Sequence, residues 1–288
     1  MAQSDRHQDE NLSKLTRYEK ENFIAIQDYI GEGYRLYDHN DVIWDIAEKQ
    51  TDRIIEATET FFLNTYGIYV EVHNMVSGHN SVTVFVESIH APFFHTFAVV
   101  PIDEKQKSVK SDYVWSQEGE VERGIKGGLY VMAFERAFNK LDKYLDDIVN
   151  EFPVVGTPKK VIDNVKANGY MTPFYFISPF GDVFKKLFES FMSDTTFDKT
   201  DVHRFFEKNV PEAMYVHINI EFYMEDKNIS LDKNILEKIA VDLKKMSGIP
   251  KGVYSICLND NFIDKKRGTG KKNNTLEVST FIKHGGVF

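Results

Sequence analysis

The apolar period of the chain changes at Gly67, and that change constrains the fold more than any other feature. Before it, Ile43, Ala47, Ile54, Ala57, Phe61 and Phe62 recur at spacings near 3.6 and so share one face of a helix. Beyond it, Val82, Val84 and Val86 alternate with Thr83, Phe85 and Glu87, the period of a strand with two unlike faces. Asp38, His39, Asn40 and Asp41 offer N-cap oxygens for a helix running to about residue 66, which Gly67 stops in the left-handed conformation. Strands are predicted at 68–75, 81–89 and 93–102, with a hairpin turn over Ser77, Gly78, His79 and Asn80. The expectation is a helix laid on an antiparallel meander.

A strand piece at 112–117 leads into a helical region at 118–151, with Glu118, Glu120 and Glu122 at the positive end of its dipole. Val121, Ile125, Leu129 and Met132, then Phe134, Phe138, Leu141, Leu145 and Ile148, predict a buried face that shifts partway along, while Gly124, Gly127 and Gly128 predict a close helix contact or a kink. Residues 153–157, with Pro, Gly and Thr together, form the expected boundary. Helices follow at 158–167, 181–192, 199–208 and 231–246, an aromatic loop or strand at 170–177, and strands at 213–224, 252–259 and 276–282. The fold class is α+β, with antiparallel sheets packed against helices. Each half carries a helix followed by a strand pair, which hints at two similar lobes, 26–155 and 156–288, behind a flexible polar stub at 1–25.

Composition narrows the rest. Hydrophobic residues make up 42% of the 288, with 23 Phe and 14 Tyr, enough for a substantial packed core. A lone cysteine, Cys257, excludes an internal disulfide and a cysteine-based zinc cage, and its apolar strand setting reads as core. The formal charge of −9 argues against a general nucleic-acid binder. No run approaches the roughly 18 apolar residues of a membrane span, and no charged segment precedes an apolar signal core.

Chemical motifs are scarce. The run from Arg267 to Lys272 departs from a phosphate-binding loop twice, at Lys265 and at Lys272. What remains is a basic tip of Lys265, Lys266, Arg267, Lys271 and Lys272, a candidate contact for anionic lipid or cell-wall polymer set against an ordinary solvated loop. His73, His79, His90 and His95 invite a metal hypothesis, but no HExxH or HxH spacing supports it, so neither metal nor cofactor is expected. Glu118, Glu120, Glu122, Glu225 and Asp226 read as helix-end and strand-end charge rather than acid–base pairs. No nucleophile elbow, reactive cysteine or dinucleotide fingerprint occurs, and no catalytic residue is assigned. Of the aromatic blocks, 91–97 and 172–180, the second offers the better groove candidate in Phe174, Tyr175 and Phe176, against the reading that both pack the core.

Several stretches together carry a family resemblance: Asp28-Tyr29-Ile30-Gly31-Glu32-Gly33-Tyr34, Val84-Phe85-Val86-Glu87-Ser88, Val99-Val100-Pro101-Ile102-Asp103 and Val114-Trp115-Ser116-Gln117-Glu118-Gly119. Gly128-Leu129-Tyr130-Val131-Met132-Ala133 and the segment from Asn259 to Lys266 continue it. The chain resembles, from about 27 to 275, the uncharacterised lipoproteins of staphylococci and bacilli grouped as domain of unknown function 1672. The resemblance implies a lipid-anchored protein on the outer face of the cell membrane, made with a signal peptide that ends at a lipidated cysteine. This sequence shows neither signal nor lipobox cysteine, so the polar opening at 1–22 is read as the stub of a tether from which the anchor has been cut. The family supplies no activity and no catalytic residues. The expected function is a non-enzymatic binding or interaction module for an envelope or host ligand, tied to the membrane by its anchor. The alternatives are an envelope-acting hydrolase or other enzyme and a structural spacer.

Overall fold

Gly67 is the pivot in the computed structural model, which describes residues 16–194 and 197–283. The helix expected before it is two: α2 (Asp41–Glu48), after a short α1 (Arg17–Asn22), and α3 (Thr51–Tyr66). They part at Lys49 and Gln50, because no buried side chain between Ala47 and Ile54 holds one continuous helix to the sheet. Asn40 caps α2 by accepting from Val42 N–H at 2.9 Å. Gly67, at φ +68°, closes α3 with its N–H on Leu63 O at 3.0 Å.

Strand β1 (Phe23–Ala25) precedes these helices, and β2 (Val70–Ser77), β3 (Ser81–Ser88), β4 (His95–Asp103) and β5 (Ser108–Val109) follow. The last four pair in chain order as an antiparallel meander. Val82, Val84 and Val86 of β3 face the main core with Ile43, Ile54 and Phe62 from the helices. The piece expected at 112–117 is a 3₁₀ turn, Ser111–Tyr113, followed by one bridge from Trp115 to Val99. Regular structure is present ahead of the expected Phe23: Thr16 and Glu19 form a capping box on α1. Residues 1–15 of the predicted tether lie outside the described residues.

Helices α4 (Glu120–Ala133) and α5 (Glu135–Glu151) replace the single region predicted at 118–151. The break falls at Phe134, whose N–H is shared between Tyr130 O and Val131 O in a tightened turn. The glycines of α4 serve close approach instead: a Cβ on Gly124 would meet the Phe94 ring, and one on Gly128 would lie 2.7 Å from Phe93 O.

The remaining elements are β6 (Val154–Val155), α6 (Lys159–Val165), β7 (Tyr175–Pro179), α7 (Asp182–Ser193), α8 (Lys199–Lys208), β8 (Val216–Met224), α9 (Lys233–Lys245), β9 (Gly252–Asn259), β10 (Phe262–Asp264) and β11 (Leu276–Ile282). Their sheet runs β11–β9–β8, with β7 and β6 lying end to end along the far edge of β8. The pairs are antiparallel except β8–β9, where α9 supplies the crossover that a parallel pair requires. The fold is α+β, and its two larger sheets differ: one is a meander, the other holds a parallel pair.

The larger buried cluster extends from Ile43 to Ile282 through both sheets. A smaller one gathers Ile26, Tyr29, Val161, Val165, Tyr223 and Ile263. It seats α6 near the β1–β10 pair, an antiparallel ribbon that joins residues 23–25 to residues 262–264. Among the described residues, no helix is long and apolar enough to cross a membrane.

Candidate functional site

The face of β3 opposite its valines carries Thr83, Phe85 and Glu87, and α6 lies against this side of β2 and β3. Glu87 stands directly across from His95 on β4. On the other side the ladder runs Val72 to Val86 and then Asn74 to Phe85, leaving His73 as the extra residue of a β-bulge. A bulge re-aims the side chain it carries, and here His73 meets Glu87 at 3.3 Å from Nε2 to Oε2. Helix α6 adds Lys159 and Asp163, one turn apart. Asn74 Nδ2 donates to Asn164 O at 2.8 Å and ties the end of that helix to β2.

Two oxygens serve the whole cluster. Glu87 Oε2 lies 3.7 Å from His95 Nε2 and accepts from Lys159 Nζ at 3.1 Å; Asp163 Oδ1 lies 3.0 Å from His95 Nε2 and 2.8 Å from Lys159 Nζ. The ligand atoms of His73, Glu87, His95 and Asp163 all fall within 4.8 Å of one another. The His95 side chain is only 6% exposed, and its Nδ1 is buried without a hydrogen-bond partner.

These surroundings push the titrating groups apart. The hydrogen bond from His73 holds the Glu87 carboxyl at about 2, helped by His95 and Lys159. The same bond raises His73 above the usual imidazole range, whereas burial lowers His95. An ionised carboxylate beside a neutral buried imidazole can pass a proton or bind a cation.

Only two of the four candidate histidines meet here. His79 sits in the β2–β3 turn with its N–H on Asp38 Oδ2 at 3.0 Å, and the His90 ring lies edge-on to Tyr69. Sequence reasoning missed Glu87 and Asp163. The visible signals were a carboxylate interrupting the apolar strand and a Lys-to-Asp pair one helical turn apart; the bulge had none.

The aromatic candidate 174–176 packs inward instead. Tyr175 is buried and its hydroxyl donates to Asp142 at 2.8 Å, so it lines no surface groove. Phe174 packs on Phe222 with centroids 5.7 Å apart, and Phe176 is half-buried. Cys257 Sγ donates to Glu277 at 3.5 Å, and burial pushes its thiol up to about 12, so it is no ready nucleophile.

A cleft of about 850 Å³ opens elsewhere, walled by α1 and β1, by the 227–231 loop and by the segment that returns from β10 towards β11. Tyr18, Phe23 and Phe262 give it aromatic faces. Lys272 Nζ lies 4.9 Å from the centre of the Phe23 ring, donates to Phe262 O at 2.8 Å and pairs with Asp260. Asn274 Nδ2 donates to Asp260 Oδ2 at 2.9 Å, and Tyr18 OH to Asp264 at the same distance.

Of the predicted basic tip, Arg267, Lys271 and Lys272 reach this cleft, each matched by a carboxylate: Asp264 at 3.9 Å, Glu277 and Asp260. Lys265 and Lys266 stay outside its lining, Lys265 alongside Gly33 and Lys266 over the Tyr18 ring. The run is a balanced wall of charge more than a free cationic patch.

The family model described as "Protein of unknown function (DUF1672)" matches residues 16–284. The crystal structure of a DUF1672 family protein from Staphylococcus aureus subsp. aureus Mu50 superposes with a TM-score of 0.72 at 21% identity, over 90% of this chain and 98% of that one. At that identity the likeness concerns the fold. Comparison with curated proteins gives no match.

Proposed function

This chain belongs to the DUF1672 family of proteins of unknown function, and on that footing we propose that it is a non-enzymatic binding module held by a lipid at the outer face of the cell membrane. The observation that carries the binding reading is the 850 Å³ cleft, which combines the faces of Tyr18, Phe23 and Phe262 with the amides, carboxylates and ammonium of Asn228, Asn274, Asp260 and Lys272. Flat aromatic surfaces flanked by alternating donors and acceptors suit a ring-shaped, hydroxyl- and amide-bearing ligand, the chemistry of an amino-sugar polymer of the envelope. The wall made by α1 is the end of the polar segment read as a tether, so an anchor ahead of it holds the cleft towards the membrane and wall.

Titration calorimetry with tetra-N-acetylchitotetraose and with soluble muropeptides tests the ligand. Binding that Tyr18→Ala and Phe262→Ala each abolish supports it, and no heat at millimolar ligand removes it. Labelling of the full gene product with an alkyne fatty acid tests the anchor, and an unlabelled product overturns that part.

A second reading, an envelope-acting hydrolase, draws on the perturbed Glu87, His73 and His95 cluster. Loss of turbidity of a cell-wall suspension that disappears with Glu87→Gln would favour it over the binding module.

A further inference from the structure

We propose that His73, Glu87, His95 and Asp163 form a site for one divalent transition-metal ion of the zinc class, and that Lys159 is the counter-ion it displaces. The inference goes beyond the cleft and stands on separate residues.

The donor set comes first. Two imidazole nitrogens and two carboxylate oxygens are borderline ligands that suit zinc, cobalt or nickel, whereas calcium and magnesium ask for six or more oxygens. Geometry comes second. Bonds of about 2.0–2.1 Å in a tetrahedron put neighbouring donor atoms about 3.4 Å apart. Here His73 to Glu87 is 3.3 Å, Glu87 to His95 3.7 Å and His95 to Asp163 3.0 Å, each measured between atoms that would ligate. All four donor atoms lie within 4.8 Å of one another, so shifts of up to about an ångström close the set around an ion.

The donors are also held in place. Glu87 and His95 are fixed by sheet register and His73 by its bulge, while Asp163 rides on a helix seated by Val161 and Val165 in the smaller core. In the metal-free protein His95 Nε2–H donates to Asp163 Oδ1, and binding a metal at Nε2 moves that proton to Nδ1, which no N–H occupies.

The charge of the site also suits an ion. The Lys159 ammonium already bridges the two oxygens an ion would take, so the site is built for positive charge. Its side chain is 66% exposed and withdraws into water at little cost. A dication then neutralises both carboxylates where one ammonium neutralises half their charge. An ion-pair cluster with no metal role accounts for the lysine contacts, but it gives no reason for a bulge that turns a second imidazole onto the same oxygen.

The experiment uses the untagged chain, stripped with chelator and titrated with cobalt(II) and then zinc(II). The expected result is one cobalt per chain with the strong visible absorption of four-coordinate geometry, displaced by one equivalent of zinc. His73→Ala and Glu87→Gln each weaken binding at least about tenfold while the metal-free variants keep the wild-type circular dichroism. Lys159→Met binds about tenfold more tightly, because the competing ammonium is gone. Absence of stoichiometric uptake at about 100 μM metal, a concentration that saturates any site tighter than the micromolar range, overturns the proposal. Equal uptake by the wild type and both ligand variants also overturns it, and unchanged affinity in Lys159→Met overturns the role given to that lysine.

Discussion

His73 and His95 lie with ring centroids 6.4 Å apart and planes 24° from parallel, and both reach Oε2 of Glu87. They stand on the two outer neighbours of β3, so the central strand carries the shared carboxylate and each flanking strand brings one imidazole. Regular pairing already gives the His95 contact; the other depends on the single extra residue in β2.

Close approach of α4 to the segment before β4 rests on Gly128. A methyl group there lies 2.7 Å from both Phe93 O and Pro92 Cβ. Helix propensity favours Ala over Gly by about 1 kcal/mol, but the overlap costs about 1–3 kcal/mol in a packed site. Gly128→Ala is therefore expected to lower stability by about 1 kcal/mol in urea unfolding; a gain would show that the segment yields freely.

Tyr130 sits wholly buried among Phe134, Phe138, Phe184 and Phe206 with no partner for its hydroxyl. Removing an unsatisfied polar atom without changing ring shape relieves its desolvation. Tyr130→Phe should stabilise the protein by about 1 kcal/mol, read as a higher denaturant midpoint at unchanged slope.

Burial pushes the Asp142 carboxyl above its usual range, against the pull of the Tyr175 hydrogen bond. For an acid so shifted, the stabilising contribution is present below the unfolded value, about 3.9, and is lost as pH rises through the folded value. Asp142→Asn keeps an acceptor for Tyr175 and removes the charge. Melting profiles should show the variant more stable than wild type at pH 7, with the difference closing as pH falls towards 4; a pH-independent difference would contradict the assignment.

Lys272 and Asp260 are expected to respond unequally. The lysine side chain is only 14% exposed, so Asp260→Ala leaves a desolvated ammonium unpaired and costs about 3 kcal/mol. In Lys272→Met the carboxylate still accepts from Asn274 Nδ2 and Phe262 N–H, and the apolar chain still packs on Phe23. That variant should stay within about 1 kcal/mol of wild type in chemical denaturation.

Local signals were legible where local physics decides. Helix α8 and strands β9 and β11 fall on the ranges their periodicity predicts, since each has an uninterrupted pattern with clear ends. The break at Lys49 and Gln50 escaped because an apolar stripe can be continued across a gap that nothing buries. The block around Tyr175 was ambiguous because a groove and a core draw on the same side chains.

The sequence by itself determined the α+β class, the strands of the meander, that the α4 glycines mark a close contact or a kink, and the family to which the chain belongs. Each is written in near neighbours: a period, a cap, a missing Cβ, a run of matching residues. Only the tertiary structure decided that β8 and β9 run parallel, that the basic run is countered by Asp260, Asp264 and Glu277, and that His73, Glu87, His95 and Asp163 converge. Such contacts join residues far apart in the chain. Strand register, one bulge and the seating of α6 set their distances, and spacing along the sequence carries no record of these.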